Sequence, residues 1–407
     1  MDSVSTTPAP VASEHSARSL LWAYGMLNAC LMAGYGALFT VVGDFRSAYG
    51  IADSTVGLII GSGFVAGFVA QITIAPIADR GRARQMVLAA VAVNMVGMLA
   101  IGFGTSAAVI MAGRVISGLA IGSAQPSIRR IVVLNDPDRV GHNLGRLMAS
   151  GVFGFSMGPA ISALLVGPFG LAAPFVVIAV LSVLALSLTF TVPVEETPAE
   201  RQTKRLLAVD LLTSRPLQGA IALGAAVYVM IGGFDTLWDV VNEDLGTPDW
   251  LANLGITLFA LPLLLLAAKG GRLAQEIGPF LLAGAGLLVA MVFMTSYGLV
   301  PSGNWMFGVV LVHAVTDGLT LASAGVAVAM SAPDDRQAGA QGLLGAGQAI
   351  SAGITAVMVG IVYETWGRAP AYLTTVTLMA ILVAIGMTLS RSMWRDDLAD
   401  RLRRSRP

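Results

Sequence analysis

Two ionisable side chains stand one helical turn apart in an otherwise apolar stretch, VLVHAVTDGLTLASAG. His313 and Asp317 occupy positions i and i+4, so a helix presents them on one face. Counted from Trp305, Asp317 lies about 18 Å along such a helix, close to the middle of a bilayer. A carboxylate at that depth is costly unless it is paired, hydrated or protonated. Such an acid can alternate between a proton and a cationic cargo, and His313 can pass or modulate the proton. The alternative is a hydrogen bond between two packed helices.

Two more acids stand one turn apart in the stretch GGFDTLWDVV. Asp235 and Asp239 share a helical face, and Asp235 lies about 28 Å along a helix that starts at Pro216. At this depth the pair serves proton coupling or lines an outer vestibule. Aromatic and amide side chains in apolar segments are candidates for a substrate wall, although most such aromatics serve packing or interface anchoring. These candidates are Asn28, Tyr35, Gln125, Phe155, Tyr228, Phe234 and Trp238.

The elements that carry these residues are predicted to be membrane-spanning helices. Of the 407 residues, 56% are hydrophobic and only 12% are charged, whereas a soluble globular protein carries about 25% charged residues. Apolar runs of roughly 18 to 27 residues recur along the chain, each long enough to cross a hydrocarbon core of about 30 Å. The predicted spans are 19–42, 54–78, 86–104, 107–127, 143–166, 170–192, 216–241, 250–268, 280–298, 304–330, 338–362 and 370–390.

Cationic residues fall almost entirely on one side of these spans. With a cytoplasmic N-terminus, only Arg46 and Arg368 lie outside; apart from Arg114 within a span, all other arginines and both lysines lie inside. We therefore predict that both termini are cytoplasmic. The scarcity of lysine beside abundant arginine, alanine and glycine favours a bacterial plasma membrane. The predicted organisation is a disordered tail (1–18), a six-helix bundle (19–192), a cytoplasmic linker (193–215), a second six-helix bundle (216–390) and a basic tail (391–407).

A local repeat supports the division into two sets of six spans. The stretch APIADRGRAR follows the second span, and GRLAQEIGPF follows the eighth, 196 residues later. Asp79 in the first stretch corresponds to Gln275 in the second. Paired halves of this kind are common in secondary transporters, which bind substrate between them. The predicted fold is an all-α integral membrane protein with twelve transmembrane helices in two pseudo-symmetric six-helix bundles.

The loop after the second span resembles a motif of the major facilitator superfamily, which reads G-x-L-A-D-R-x-G-R-R. Asp79 and Arg80 stand in register, Arg84 fills the last basic position, and Ala75 replaces the first glycine. A carboxylate just before the third helix is expected to complement the positive end of that helix. The resemblance, which extends from Arg18 to Arg391, further implies that this loop latches the cytoplasmic side of the transporter.

The fourth span resembles the family pattern R-x-x-x-G at Arg114 and Gly118. Arg114 lies about 10 Å from the outer boundary at Ala107. A charge at that depth usually faces a wet cavity or an opposing acid, and the resemblance implies a part in proton transfer. The alternative is an arginine that reaches the outer interface by extending its side chain.

The fifth span is similar to the antiporter signature of the same family, G-x(8)-G-x(3)-G-P-x(2)-G. Gly145, Gly154, Gly158 and Pro159 match in register, while Ser162 stands at the last glycine position. Small residues let helices approach closely in lipid, and neighbouring helices compensate for a proline. The expected result is a tightly packed, slightly bendable helix where the two halves rock; a purely structural role for the small residues is the alternative. The resemblance implies export of a substrate in exchange for protons.

Motifs for other classes of protein are missing from the sequence. It contains no GxxxxGK[ST], HExxH or GxSxG pattern, and the histidines at 15, 142 and 313 are widely spaced. We therefore expect no cofactor, metal or enzymatic activity. The leading hypothesis is a monomeric, proton-coupled exporter of small amphipathic or cationic compounds, with a lipid bilayer, protons and substrate as partners and no nucleic acid. The alternatives are an uptake symporter or sugar permease of the same fold, and a non-transporting receptor or scaffold.

Overall fold

A computed structural model describes residues 14–51, 53–194, 196 and 207–395. These residues form thirteen α-helices; among them ten helical segments are long and apolar enough to cross a membrane, one of these segments comprises two consecutive helices, and Ala173–Thr189 is a shorter apolar helix. The helices are α1 (Glu14–Tyr49), α2 (Asp53–Thr73), α3 (Ala83–Phe103), α4 (Ala107–Asn135), α5 (Val140–Phe169), α6 (Ala173–Thr189), α7 (Arg215–Asp244), α8 (Asp249–Ile277), α9 (Pro279–Tyr297), α10 (Gly303–Thr320), α11 (Ser323–Ser331), α12 (Gln337–Trp366) and α13 (Arg368–Leu389). The predicted all-α membrane fold is confirmed.

Proline and glycine set many of the helix ends. Proline stands in the first turn of α6, α7 and α9, where its missing N–H has no partner to lose. The helices α5, α8 and α12 are followed by Gly170, Gly278 and Gly367, all with positive φ, a conformation that glycine adopts without a steric penalty. The helices α5 and α12 end in the same way because they are equivalent members of the two halves.

The two halves repeat the same packing scheme. In the first half α1 packs against α5 and α6, and α4 packs against α2 and α3. In the second half α7 packs against α12 and α13, and α10 packs against α8 and α9. Each half therefore joins its first span to its fifth and sixth, and its fourth span to its second and third. This correspondence is the pseudo-symmetry that the sequence predicts.

One face of the bundle carries both ends of the connection between the halves. Near α6, Glu196 binds the start of α3; near α7, Asp210 and Leu207 bind Arg336, just before α12. We call this side the linker face and the opposite side the far face. The predicted tails and linker lie partly outside the described residues. Within them, α1 begins at Glu14, a short 3-10 helix covers Val209–Thr213, and residues 391–395 are helical.

Candidate transport site between the two halves

Asp79 joins the two halves at the linker face. It lies in the 3-10 helix Ala75–Arg80 and is fully buried. Its Oδ1 accepts hydrogen bonds from Nε of Arg130 at 3.1 Å and from the backbone N–H of Ala338 at 2.9 Å. Its Oδ2 accepts a third from the N–H of Gly339 at 2.7 Å. The carboxylate thus binds the positive end of α12 in the opposite half. We call these contacts the acidic latch.

The structure corrects the helix that Asp79 was expected to cap. The residue before α3 is Arg82, whose own side chain does not cap this helix end; the cap comes from Glu196, which accepts the backbone N–H of Arg84. Gly81 has a φ of +67° and reverses the chain between the 3-10 helix and α3. The reversal leaves the Asp79 carboxylate directed toward α12 rather than toward the following helix.

Glu196 ties the basic residues of this loop together. One of its carboxylate oxygens accepts the backbone N–H of Arg84 at 2.9 Å, and the other lies 3.5 Å from Arg130. The Arg84 guanidinium also donates to the Thr189 carbonyl at 3.3 Å. Arg80 is half-buried at the end of the 3-10 helix. Arg130 is fully buried and shared by both acids; no sequence motif points to it.

Gln275 makes the equivalent contact from the second half. Its Oε1 accepts the backbone N–H of Gly141, at the start of α5, at 2.8 Å. Its Nε2 donates to the carbonyl of Asp138 at 2.9 Å. We call this pair of hydrogen bonds the amide latch. The correspondence between Asp79 and Gln275 found in the repeat therefore extends to their contacts.

The glycines of α5 lie where backbones meet. A methyl group at Gly145 would overlap the Ala267 carbonyl on α8, across the boundary between the halves. Methyl groups at Gly154 and Gly158 would overlap α1, at Ala29 and Ala33. Ser162 is buried and donates to the Ala37 carbonyl at 3.4 Å, and Pro159 lies inside the helix. The small residues thus hold α5 against one helix of each half.

Arg114 is buried within the first half on an aromatic side chain. Its guanidinium carbon lies 3.7 Å from the centre of the Tyr35 ring on α1 and 5.7 Å from that of Phe64 on α2. Such cation–π contacts stabilise a desolvated guanidinium. Tyr35, expected on a substrate wall, therefore packs against Arg114.

Asn28 and Gln125 form one hydrogen-bond network. The amide of Gln125 on α4 donates to Oδ1 of Asn28 on α1 at 2.6 Å. Asn28 in turn donates to the Leu147 carbonyl and the Ser150 hydroxyl on α5, each at 3.0 Å. Gln125 remains half-exposed while Asn28 is buried, so Gln125 is the more accessible member of the pair.

His313 and Asp317 lie together inside the second half. Nε2 of His313 is 3.4 Å from Oδ1 of Asp317, and its Nδ1 is 2.9 Å from the Tyr297 hydroxyl. The imidazole stacks on Phe293 at 4.8 Å between ring centres. Asp317 is only 2% exposed, and its Oδ2 has no hydrogen-bond partner among the described residues. The cluster is enclosed by α8, α9 and α10.

The remaining candidates on α7 are two buried aromatic residues and two acids. Phe234 and Trp238, expected to line a substrate wall, are 3% and 1% exposed and pack with Tyr297 in the core of the second half. This corrects the prediction, because their face of α7 points into the half. Asp235 is exposed on the same helix. Asp239 lies on α7, and its side chain is outside the described part.

One half-exposed residue of each half interacts electrostatically with the other. Tyr228 on α7 interacts electrostatically with Arg129 on α4 and with Asp235. Tyr228 is among the residues predicted from the sequence, whereas Arg129 is predicted there only as a charge on the cytoplasmic side. The available signal was its position one turn after Gln125, which places both side chains on one face of α4. Phe155 on α5 is 40% exposed.

Comparisons with known proteins agree on one family. The family model of the Major Facilitator Superfamily matches residues 25–240. The human organic anion transporter MFSD10 has a similar structure, with 14% identity and a TM-score of 0.73 over 91% of this chain and 99% of that chain. The proton:xylose symporter XylE matches with 13% identity and a TM-score of 0.73, over 94% and 96%. The Escherichia coli fucose:proton symporter FucP gives 13% and 0.73, over 91% and 98%. No curated protein sequence matches the chain.

Proposed function

Because the chain belongs to the Major Facilitator Superfamily, whose members are transporters and not enzymes, we propose that it exports a small amphipathic compound in exchange for protons. The observation that carries this proposal is the pair of latches at the linker face. Each latch joins one half to a helix end of the other through a few hydrogen bonds. Contacts of this number and kind can break and reform during alternating access.

The position of the latches supports a defined conformational state. The contacts that we identify between the halves, among the described residues, involve the linker-face portions of the helices. The distribution of basic residues favours the linker face as the cytoplasmic side. On this basis we assign the structure to the state closed to the cytoplasm, and we propose a bacterial plasma membrane as the location and one polypeptide as the transporting unit.

A buried acid with an unpartnered oxygen supports proton coupling. The Oδ2 atom of Asp317 has no hydrogen-bond partner among the described residues, and its other oxygen lies beside His313. A carboxyl group in such a site is neutral when protonated and costly when ionised. We assign the coupling proton to this pair, with Tyr297 orienting the imidazole. Arg114, Asp235 and Asp239 remain secondary candidates for the proton path.

The proposed direction of transport depends on the spacing of small residues and proline in α5. The antiporter-like spacing of Gly145, Gly154, Gly158 and Pro159 favours export. Proton-coupled uptake is the second candidate, because XylE and FucP, which share the fold, are named proton symporters. A potential of 100 mV supplies about 2.3 kcal/mol per charge. That energy sustains a substrate gradient of roughly fifty-fold, at about 1.4 kcal/mol per decade.

Proteoliposomes loaded with a pH-sensitive dye distinguish these mechanisms. The probes are ethidium and 4-aminohippurate, an amphipathic cation and an amphipathic carboxylate, with protein-free liposomes as the control. An exchanger moves protons opposite to the probe, and reversing the imposed pH gradient reverses probe movement. Movement of protons and probe in the same direction establishes the symporter. The transport proposal fails if neither probe moves faster than in protein-free liposomes under either gradient.

A further inference from the structure

The pair formed by His313 and Asp317 is enclosed, so a proton needs a defined route to reach it. His313 is 1% exposed and Asp317 is 2% exposed. Phe259 of α8 and Phe293 of α9 lie against the imidazole, with ring centres 5.9 and 4.8 Å away. These two rings carry no group that can transfer a proton. Among the described residues, the hydrogen bond that His313 makes outside its own helix joins it to the Tyr297 hydroxyl.

Close packing blocks an approach to Asp317 from the linker face. The helix α10 begins at the far face, and the residues that follow Asp317 lie against α8. A methyl group at Gly318 would overlap the Pro262 carbonyl, and one at Gly270 would overlap the Leu319 carbonyl. Backbones that approach this closely leave no room for a chain of water molecules between the two helices. The side of Asp317 that leads toward the linker face along α8 is therefore sealed.

Tyr297 connects the pair to the far face. It is the last residue of α9, which begins just after the amide latch and therefore ends at the far face. Its hydroxyl lies 2.9 Å from Nδ1 of His313. On the other side of the ring, Nε2 of His313 lies 3.4 Å from Oδ1 of Asp317. One imidazole thus contacts a hydroxyl with one nitrogen and a carboxylate with the other, which is an arrangement that can pass a proton.

Tyr372 extends the row of polar groups beyond Tyr297. It lies on α13 and is fully buried, and its ring centre is 5.7 Å from that of Tyr297. Within the described part of the chain its hydroxyl has no hydrogen-bond partner, and the same holds for Nη1 of Arg368. Arg368 begins α13 at the far face, one helical turn before Tyr372, and is half-exposed. The row therefore extends from a partly accessible side chain to the imidazole.

We propose that the hydroxyl groups of Tyr372 and Tyr297 relay protons between the far face and His313. The proposal rests on the proposed proton coupling at His313 and Asp317. Tyr297 gives its hydroxyl proton to Nδ1 of His313 and takes one from Tyr372. His313 then gives its Nε2 proton to Oδ1 of Asp317, and water near Arg368 restores the proton of Tyr372. Both phenols and the imidazole end neutral, so the net change is one proton moved from water to the carboxylate.

The relay gives the coupling pair access to one side of the membrane. Alternating access requires this, because a carboxyl group open to both faces at once would let protons leak. In the state closed at the linker face, the packing after Asp317 and the relay before it direct proton exchange to the far face. A proton from that side can therefore be exchanged for a substrate from the other.

Infrared spectroscopy of the purified full-length protein measures proton exchange at Asp317 without a substrate or a gradient. The carboxyl C=O band shifts on transfer from water to heavy water, and its loss in Asp317→Asn assigns it. Proton transfer by a positioned side chain accelerates a step by roughly 10²–10⁴-fold. Because phenylalanine keeps the ring but carries no hydroxyl, we expect Tyr297→Phe and Tyr372→Phe each to slow the exchange by at least about tenfold.

Tyr24→Phe is the matched control, since Tyr24 is a fully buried tyrosine of the first half, and it exchanges as the unmodified protein does. Unchanged exchange in Tyr297→Phe or Tyr372→Phe removes that tyrosine from the route, and unchanged exchange in both overturns the relay while proton coupling at Asp317 stands. An equal slowing in Tyr24→Phe also contradicts the relay. If no Asp317 band titrates, the relay and the coupling assignment both fail. The two tyrosines lie on different helices, so a folding defect in one variant leaves the other decisive.

Discussion

Asp79 and Gln275 occupy equivalent positions 196 residues apart, and each binds the N-terminal turn of a helix in the opposite half. Asp79 accepts backbone N–H groups of α12, and Gln275 accepts one of α5. The two contacts differ in charge. Hydrogen bonds to a carboxylate are roughly twice as strong as those between neutral groups, so the acidic latch is the stronger of the two.

Replacing Asp79 by Asn is expected to open the linker face. The change removes the charge that Arg130 and α12 share, and breaking a buried ion pair costs about 3–5 kcal/mol. Ala338 is fully buried in the closed state. In a Cys30→Ser, Ala338→Cys background, a membrane-impermeant maleimide added at the linker face reports its exposure. We expect labelling to rise at least about tenfold, since each 1.4 kcal/mol is worth a factor of ten. Glu276→Gln, an exposed acid on the same face that takes part in neither latch, is the control, and equal labelling of both variants would refute the latch.

Replacing Gln275 by Ala is expected to have a smaller effect in the same assay. The residue contributes two hydrogen bonds, and a neutral hydrogen bond contributes about 0.5–1.5 kcal/mol. Labelling at position 338 therefore rises less than with Asp79→Asn. A larger rise than that of Asp79→Asn would show that charge does not set the relative strength of the latches.

Glycine-to-alanine changes at two positions of α5 distinguish the effect of close packing on stability from the effect of helix propensity. Gly154→Ala overlaps the Ala29 carbonyl of α1, whereas Gly167, on the same helix, has no neighbour within 4 Å. Overpacking lowers the free energy of unfolding by about 1–3 kcal/mol, and an unobstructed glycine-to-alanine change favours the helix by about 1 kcal/mol. We expect a lower Tm for Gly154→Ala and an unchanged or higher Tm for Gly167→Ala. Similar Tm values for both variants would remove the steric explanation.

We expect an aromatic residue of α7 to contribute to stability and one of α5 to contribute to transport. Phe234 is buried in the core of the second half, while Phe155 is exposed. Truncating a buried phenylalanine to alanine costs about 3–5 kcal/mol, so Phe234→Ala lowers Tm strongly. Phe155→Ala leaves Tm nearly unchanged and alters probe transport. A stable Phe234→Ala protein with altered selectivity would restore Phe234 to the substrate wall.

Replacing Asp317 by Asn is expected to uncouple transport from protons. Asparagine keeps the shape of the protonated acid but releases no proton, so the imposed pH gradient no longer drives the probe. Exchange of labelled for unlabelled probe across the membrane continues, because it needs no net proton movement. Asp44→Asn, an exposed acid near the far end of α1, keeps coupling. Gradient-driven accumulation in Asp317→Asn would move the coupling site elsewhere.

The spans could be predicted from the sequence, whereas the orientation of side chains on them could not. Apolar runs and flanking charges define helix ends locally, so α9 at Pro279–Tyr297 follows the predicted span 280–298 closely. The helix α7 is apolar on several faces, so nothing local shows that Phe234 is buried within the half instead of lining a substrate wall. Packing against other helices makes that distinction.

Long-range contacts could not be predicted either, because they join residues that are far apart in the chain. Asp79 lies next to α3 in the chain, but its carboxylate binds Gly339, 260 residues away. Arg129 and Arg130 are identical and adjacent, and a rotation of about 100° around the helix axis gives them different partners. One signal was present: Pro-Asp-Arg at 137–139 and Pro-Asp-Asp-Arg at 333–336 precede the two helices that the latches bind.

At the linker face, Gly141 and Gly271 bring the backbones of α5 and α8 into direct contact. At this point of contact there are no side-chain rotamers to rearrange, so the two backbones can roll over one another with little internal friction. The preference for one state then depends mainly on the polar groups at the rim of this contact. Substitutions there can reset the resting conformation of this carrier while its cargo preference stays intact.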